Sequence, residues 1–286
     1  MENTNNTNNT KMMLVMVCCA VMWSTGGVII KLVSWNPLFI AGARGLPASL
    51  VLLTYLLKSG HHIKINKYTF GIAAAVFTTY VAYVVATKMT TAANAIVIQY
   101  LAPVWVVVIS AIFLHEKFTK VDITVVAVST LGIMFFFFDK LTVKGMLGNL
   151  FALIAGIALA LLYILNNRMC RTDPDAQLTG VVLGQALTML AFPAGLCFGA
   201  FHTTGTEVLM MLAMGIFQLG LPYIAYLICQ KSLTALTCSL IGMIEPLLNP
   251  VWVLIFYGER PGPNALVGGS VIIITLTIWC IWQNRQ

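Results

Sequence analysis

The sequence predicts an all-α polytopic membrane protein with ten transmembrane helices, arranged as two inverted repeats of five helices. Three observations support this prediction. First, 59% of the 286 residues are hydrophobic and only 9% are charged, whereas a soluble domain carries about 25% charged residues. Second, apolar runs of about 20 residues, the length that crosses a bilayer as a helix, recur from one end of the chain to the other. Third, the second half of the chain repeats part of the first half.

The repeat is visible when the sequence is compared with itself after a shift of 143 residues. Residues 80–116 then align with residues 223–259 without a gap and share twelve identities. These identities include Tyr80 with Tyr223, Pro103 with Pro246, and Glu116 with Glu259. Hydrophobic composition alone does not explain such matches, so we interpret them as an internal duplication.

The first half begins with an Asn/Thr-rich tract, residues 1–10, which lacks apolar content and is predicted to be a disordered cytoplasmic tail. We treat the first span as a helix of the mature protein, because its apolar run is too long for a signal peptide. Pro37 is a favourable first residue for span two, and a very short joint makes spans three and four a tight hairpin. Spans one to five cover residues 12–33, 37–57, 69–87, 91–114 and 121–138.

A polar linker with Asp139, Lys140 and Lys144 leads into the second half. Five further apolar runs of helical length follow it, and Gly180 and Gly184 in span seven indicate close helix packing. Spans six to ten cover residues 145–167, 178–201, 207–230, 233–257 and 264–283. We therefore divide the chain into a first repeat, residues 11–139, and a second repeat, residues 140–286.

The distribution of Lys and Arg predicts the orientation of the chain in the plasma membrane. With a cytoplasmic N-terminus, ten of these residues lie on the cytoplasmic side and five on the outer side, as the positive-inside rule requires. Both termini are then cytoplasmic. Because each repeat has an odd number of helices, the second repeat is inverted relative to the first.

The composition also argues against several functional classes. The net charge of +7 comes from residues in short loops, so we expect a lipid bilayer and a small solute as partners and no nucleic acid. The seven cysteines form no Cys-x-x-Cys motif and are read as buried thiols. Without a phosphate-binding loop, a Ser/His/Asp set or metal-ligand spacing, we predict no enzyme, no catalytic residues, no metal and no cofactor.

Two charged side chains lie deep inside predicted spans. Glu245 is near the middle of span nine, where burial of an ionisable group costs roughly 2.5–3.5 kcal/mol. It can hold a proton, bind a cationic solute, act as a gate group, or be a structural carboxylate bonded to neighbouring helices. Arg44 in span two can recognise an anion, pair with Glu245, or snorkel to the outer surface. The sequence leaves these alternatives open.

Pro103 and Pro246 occupy matching positions in spans four and nine. Each proline frees a backbone carbonyl and permits a kink. We expect the two helices to bend or rock as symmetry mates during function, with a static kink as the alternative.

Other polar and aromatic side chains within the spans are candidates for a solute pathway. Trp23, Tyr80, Gln99 and Asn249 rank first beside the two charges. The alternative for each is an interhelical hydrogen bond or an interfacial position. A pathway rich in aromatic rings with one carboxylate suits an organic cation. The wider set comprises Ser24, Tyr83, Asn94, Tyr100, Tyr163, Asn166, Gln218, Tyr223 and Trp252.

Together these features resemble the EamA-type transporters of the drug/metabolite transporter superfamily. The resemblance covers residues 11–283, with one departure: His115 stands where the family usually has Gly before the closing Glu. It is carried by Trp23–Ser24, Arg44, residues 91–117 and residues 234–260, the last including Glu245–Pro246 and Gly258–Glu259.

The resemblance implies a secondary transporter that moves a small organic metabolite or drug-like solute by alternating access. We expect an exporter, either proton-coupled through Glu245 or facilitative, that works as a monomer or a homodimer. The alternatives from other classes are an integral membrane enzyme and a receptor or assembly subunit that binds without transport. The identity of the solute is not implied.

Overall fold

All regular structure in the protein is helical over the residues that the structure describes. This structure is a computed structural model. No strand occurs among its described residues, which confirms the all-α prediction. The described residues are 2–26, 29, 33–141, 145–197, 201–257 and 262–283.

The α-helices are numbered here along the chain. The first half contains α1 (Glu2–Ser24), α2 (Pro37–Lys58), α3 (Lys67–Met89), α4 (Ala92–Gln99), α5 (Ala102–Phe113) and α6 (Lys120–Phe136). The second half contains α7 (Met146–Thr172), α8 (Pro174–Leu187), α9 (Ala191–Leu196), α10 (Gly205–Ala213), α11 (Leu221–Cys229), α12 (Ala235–Gly242), α13 (Ile244–Tyr257) and α14 (Pro263–Gln283). Short 3-10 turns occur at Phe138–Lys140 and Thr188–Leu190, and a π-helix, Met214–Gly220, joins α10 to α11.

Seven helical segments within the described ranges are long and apolar enough to cross a membrane, which confirms a multi-pass membrane protein. They are Leu38–Lys58, Lys67–Thr87, Ala93–Phe113, Met146–Thr172, Pro174–Leu196, Gly205–Cys229 and Pro263–Gln283. The other predicted spans coincide with shorter helices, namely the apolar stretches Asn9–Ser24 and Ala235–Leu248 and the 17-residue helix α6. The number of ten spans therefore stays a prediction.

The structure differs from the prediction at the N-terminus, where a disordered tail was expected over residues 1–10. Helix α1 instead begins at Glu2. Once the apolar part of a helix has formed, each added residue gains one hydrogen bond for the two dihedrals that it fixes, and the cost of nucleation is not repeated. The composition of the tract indicates only that it has no apolar surface to bury, so it does not reveal this extension.

Both helices that carry the matched prolines are interrupted. Helix α4 ends at Gln99 before α5 begins, and α12 ends at Gly242 before α13 begins. A proline cannot donate a hydrogen bond to the carbonyl four residues before it. That carbonyl belongs to Gln99 for Pro103 and to Gly242 for Pro246. The two helices are therefore interrupted at equivalent positions of the repeat, and the bending of these helices during function stays a prediction.

Close glycine contacts join the two halves of the chain. Gly180 and Gly184 of α8 lie against α3, so that an added β-carbon would be 2.8 Å from Ile72 and 2.6 Å from Val76, respectively. This confirms the close packing predicted from the two glycines. Because α3 belongs to the first half and α8 to the second, the halves interlock.

Two ion pairs tie the loop after α2 to the start of α8. His61 Nδ1 lies 2.6 Å from Asp175 Oδ1, and Lys64 Nζ lies 2.9 Å from Asp173 Oδ2. Asp173 also caps α8, because its carboxylate accepts a hydrogen bond from the Ala176 N–H at 3.3 Å. Lys64 lowers the pKa of Asp173 below its ordinary value of 3.8.

A second polar contact lies at the opposite end of α2. The backbone N–H and the hydroxyl of Ser34 donate to the Glu207 carboxylate at 3.0 and 2.8 Å. Glu207 also accepts hydrogen bonds from the backbone N–H and the hydroxyl of Thr204, at 3.0 and 3.1 Å. Helix α2 has 22 residues and is about 33 Å long at 1.5 Å per residue. The two contacts are therefore at opposite ends of the helix bundle.

We expect Asp173→Ala to lower thermal stability at pH 7, because it removes both the cap of α8 and the partner of Lys64. Loss of a cap costs about 1 kcal/mol. A carboxylate with a lowered pKa stabilises the fold above its ordinary pKa, and this contribution disappears as pH falls through the lowered value. The difference in melting temperature between wild type and variant should therefore shrink below about pH 3.8.

The measurement is the melting temperature of detergent-purified protein across this pH range. Asp139→Ala is the control, because Asp139 is an exposed carboxylate that accepts a hydrogen bond from Asn264 at 2.7 Å. If the melting temperature of Asp173→Ala stays below that of the wild type by the same amount from pH 7 to pH 3, the ionised carboxylate does not stabilise the fold as expected.

Candidate functional site

A cavity of about 120 Å³ lies inside the helix bundle. Both halves of the chain form its walls, through α1 to α4 in the first half and α7, the π-helix, α11 and α13 in the second. One water molecule needs roughly 10–15 Å³, so the cavity has room for a small solute. Six of the nine tyrosines of the chain line it: Tyr80, Tyr83, Tyr100, Tyr163, Tyr223 and Tyr226.

Glu245 supplies the negative charge of the cavity. It lies in the first turn of α13, directly after the break at Met243. It is half-buried and lines the cavity. Free backbone N–H groups and the helix dipole stabilise a carboxylate at a helix N-terminus. The Tyr100 hydroxyl and the Arg44 guanidinium also interact electrostatically with it. The break in the helix therefore makes this carboxylate tolerable inside a membrane.

Arg44 supplies the positive charge from α2. It is 5% exposed, and its guanidinium carbon lies 5.3 Å from the centre of the Tyr80 ring, a cation–π distance. It is therefore buried beside the cavity and does not snorkel to the surface. Among the described residues, no ion pair within 4.0 Å joins Arg44 to Glu245. The two opposite charges share one cavity without direct contact.

A cluster of aromatic rings forms one wall of the cavity. The Tyr80 hydroxyl donates to the Tyr223 hydroxyl at 2.9 Å. The centre of the Trp23 ring lies 5.7 Å from the centre of the Tyr223 ring and 5.8 Å from that of Tyr226. The ring centres of Tyr226 and Tyr163 are 5.7 Å apart. Tyr80 and Tyr223 are the tyrosines that match in the sequence repeat. Equivalent residues that contact each other lie close to any two-fold axis that relates the repeats.

Gln218 reaches the cavity wall from the π-helix, a rare element that often occurs at functional sites. Its Nε2 donates to the backbone oxygen of Trp23 at 3.1 Å. Its buried Oε1 has no hydrogen-bond partner among the described residues, and neither has the buried indole Nε1 of Trp23. Leaving a buried polar group unpaired costs about 1–3 kcal/mol.

The structure brings most of the predicted site residues together. Glu245, Arg44, Gln99, Trp23, Tyr80 and Pro246 all line the cavity. Pro103 is buried at the start of α5 and does not line it. The side chain of Asn249 lies outside the described part of the structure. Five residues of the wider set of candidates also line the cavity: Tyr83, Tyr100, Tyr163, Gln218 and Tyr223.

The remaining candidates lie away from the cavity, and one lining tyrosine was missed. Trp252 Nε1 donates to the Ser24 hydroxyl at 2.8 Å, which is an interhelical contact. Asn94 and Asn166 are buried but do not line the cavity. Tyr226 lines it although the sequence analysis did not select it. Its alignment with a tyrosine of the first repeat was the signal that could have identified it.

Comparisons with known proteins add the following findings. The model of the EamA-like transporter family matches residues 10–138 and 146–280. An uncharacterized transporter from Archaeoglobus fulgidus is 23% identical over 264 residues, which cover 92% of this chain and 93% of that protein. An uncharacterized transporter from Clostridium kluyveri is 26% identical over 201 residues, which cover 66% of this chain and 63% of that protein.

A solved crystal structure has a similar fold. It superposes with a TM-score of 0.82 over 96% of this chain and 98% of that chain. At 17% sequence identity, this likeness concerns the fold alone.

We expect the Tyr80–Tyr223 hydrogen bond to appear in a double-mutant cycle. Tyr80→Phe and Tyr223→Phe should each lower stability by about 1 kcal/mol, the net value of one hydrogen bond. The double variant should lose less than the sum, because the first substitution already removes the bond. Melting temperatures of the four purified proteins test this expectation.

Tyr80→Phe combined with Tyr55→Phe is the control, because no hydrogen bond joins Tyr55 to Tyr80 among the described residues. That pair should be additive. Additive losses for Tyr80 and Tyr223 as well would rule out a stabilising bond between them.

Proposed function

Because this chain belongs to the EamA-like transporter family of the drug/metabolite transporter superfamily, we propose that it is a secondary transporter of a small zwitterionic organic solute. One observation carries the proposal: Arg44 and Glu245 line the same cavity without forming an ion pair. A solute carboxylate can bind the guanidinium through charge-assisted hydrogen bonds. A solute ammonium can bind Glu245 and the surrounding aromatic rings.

The proposed architecture is ten transmembrane helices in two inverted repeats, residues 11–139 and 140–286. Three findings support it: the family model matches two successive segments, both proline-bearing helices break at equivalent positions, and Tyr80 contacts its equivalent, Tyr223. The excess of Lys and Arg in one set of loops supports two cytoplasmic termini in the plasma membrane. Export is the direction that the family resemblance favours.

The proposed mechanism is alternating access around the cavity. The two broken helices move against the rest of the bundle, and the polar contacts at either end of α2 open in turn. Protonation of Glu245 removes the charge that attracts the ammonium group of the solute. Proton entry therefore promotes solute release, which couples the two fluxes. The cavity of the EamA-like protein offers no other carboxylate among its lining residues.

We expect purified protein in liposomes to exchange L-asparagine, L-leucine or glycine betaine faster than choline or malate. Arg44→Gln should raise the KM for the zwitterions at least tenfold, because a hydrogen bond to a charged group contributes about 1.5–3 kcal/mol. The effect of Arg44→Gln on the uptake of choline should be small. Lys58→Gln, at the exposed end of the same helix, is the control. It should change neither the KM for the zwitterions nor the uptake of choline.

Fast uptake of choline that resists Arg44→Gln, without uptake of any zwitterion, would indicate a transporter of organic cations. Conversion of a solute into a new product would indicate an enzyme, and binding without flux would indicate a receptor.

We expect an imposed proton gradient to drive uptake in the wild type and not in Glu245→Gln, because the amide cannot carry a proton. Counterflow exchange, which needs no net proton movement, should persist in the variant. Glu116→Gln, an exposed residue after the end of α5, is the matched control. Gradient-driven uptake that survives Glu245→Gln would remove this carboxylate from the coupling step, whereas wild-type uptake that does not respond to the gradient would indicate facilitated diffusion.

A further inference from the structure

We infer that Gln218 and Trp23 form a separate recognition element of the cavity, which binds an uncharged group of the solute that both donates and accepts hydrogen bonds, such as a carboxamide. This inference rests on the proposed function and makes it more specific. Arg44 and Glu245 bind the charged ends of a zwitterion, whereas this element selects among zwitterions by their third group.

The hydrogen bond to Trp23 fixes the orientation of the Gln218 amide. The Gln218 side-chain amide lies against the backbone oxygen of Trp23. A carbonyl oxygen can only accept, so the atom 3.1 Å from it is the Gln218 nitrogen. The Gln218 oxygen therefore points to the other side of the amide, where no described residue pairs with it.

Local packing holds Gln218 in the wall of the cavity. The chain approaches so closely at Gly26 that an added β-carbon there would lie 2.7 Å from the Gln218 nitrogen. Gln218 is 7% exposed, whereas the preceding residue, Phe217, is 60% exposed on the outer face of the bundle. The wider turn of the π-helix sets which side chains of this segment face inward.

The Trp23 indole supplies the matching donor. Its ring packs against the rings of Tyr223 and Tyr226, which also contact each other. Its Nε1–H is buried without a partner among the described residues. Buried polar atoms are paired in the great majority of cases, so a donor and an acceptor left unpaired on neighbouring residues of one cavity wall indicate a missing ligand group.

The chemistry of this pair favours an uncharged ligand group. Neither an indole N–H nor an amide oxygen can neutralise a full charge, and a buried charge without a counter-charge is costly. An aliphatic group leaves both atoms unpaired. A carboxamide satisfies both atoms, because its oxygen accepts from the indole and its nitrogen donates to Gln218.

Gln177 provides a matched control within the same chain. It is 4% exposed, and its Nε2 donates to the backbone oxygen of Asn166 at 3.1 Å. Its structural contact is thus equivalent to that of Gln218, but Gln177 does not line the central cavity. A change that acts only through a lost backbone contact should affect both glutamines alike.

The test uses two zwitterions of nearly equal size, L-asparagine and L-leucine, with full-length protein in liposomes. We expect the wild type to transport L-asparagine with at least tenfold higher kcat/KM than L-leucine. Gln218→Met should raise the KM for L-asparagine until this preference is lost, with L-leucine transport retained. Trp23→Phe should reduce the preference in part, and Gln177→Met should preserve it.

Two results would overturn the inference alone: equal kcat/KM for the two amino acids in the wild type, or a Gln218→Met variant that loses both activities in the same proportion. Uptake of choline with no uptake of either amino acid would overturn the proposed function and this inference with it. If Gln218→Met does not fold, the wild-type preference and its reduction in Trp23→Phe decide the question.

Discussion

A backbone polar group cannot remain unpaired inside a bilayer, and this constraint determines where the cavity lies. Pro103 and Pro246 free the carbonyl oxygens of Gln99 and Gly242 in the middle of the bundle. Irregular backbone at that depth is tolerated where it lines a cavity or is covered by protein. The same break sets Glu245 at the start of a new helix, where free N–H groups favour a carboxylate. The break before Pro246 therefore provides the position for the negative charge of the cavity, and the break before Pro103 places Gln99 in the cavity wall.

The two halves contribute alike to the backbone of the site but differently to its chemistry. The breaks are equivalent, and Tyr80 and Tyr223 contact each other as equivalents. The charges are not equivalent, since Glu245 aligns with Ala102 in the repeat. The carboxylate belongs to the second half and the guanidinium of Arg44 to the first. A zwitterion bound between them connects the two halves, whereas a symmetric site would offer the same group twice.

The sequence predicted the helical class and most of the cavity because prolines and ionisable residues are costly within a membrane and stand out in an apolar run. Glu245, Arg44 and Pro246 belong to this group, and all three line the cavity. The distance between the two charges depends on how separate helices pack, so the sequence left their pairing open. Gln218 was one polar candidate among several, because the sequence reveals neither the π-helix that carries it nor its close approach to Gly26. No sequence period indicates such a turn.

In the proposed mechanism, helix α2 links solute binding to the contacts at both ends of the bundle. It carries Arg44, and it lies between Ser34, which donates to Glu207, and the loop in which Lys64 pairs with Asp173. A ligand shifts a conformational equilibrium only by binding one state more tightly than another. A solute that bridges Arg44 and Glu245 adds an interaction that the empty cavity lacks, and it acts on α2 directly. The contacts at the two ends differ in chemistry, because one end has two ion pairs and the other end has hydrogen bonds from one serine. A movement of α2 therefore disturbs the two sets of contacts unequally. This inequality gives the helix bundle a physical basis for opening at one end while the other end stays closed.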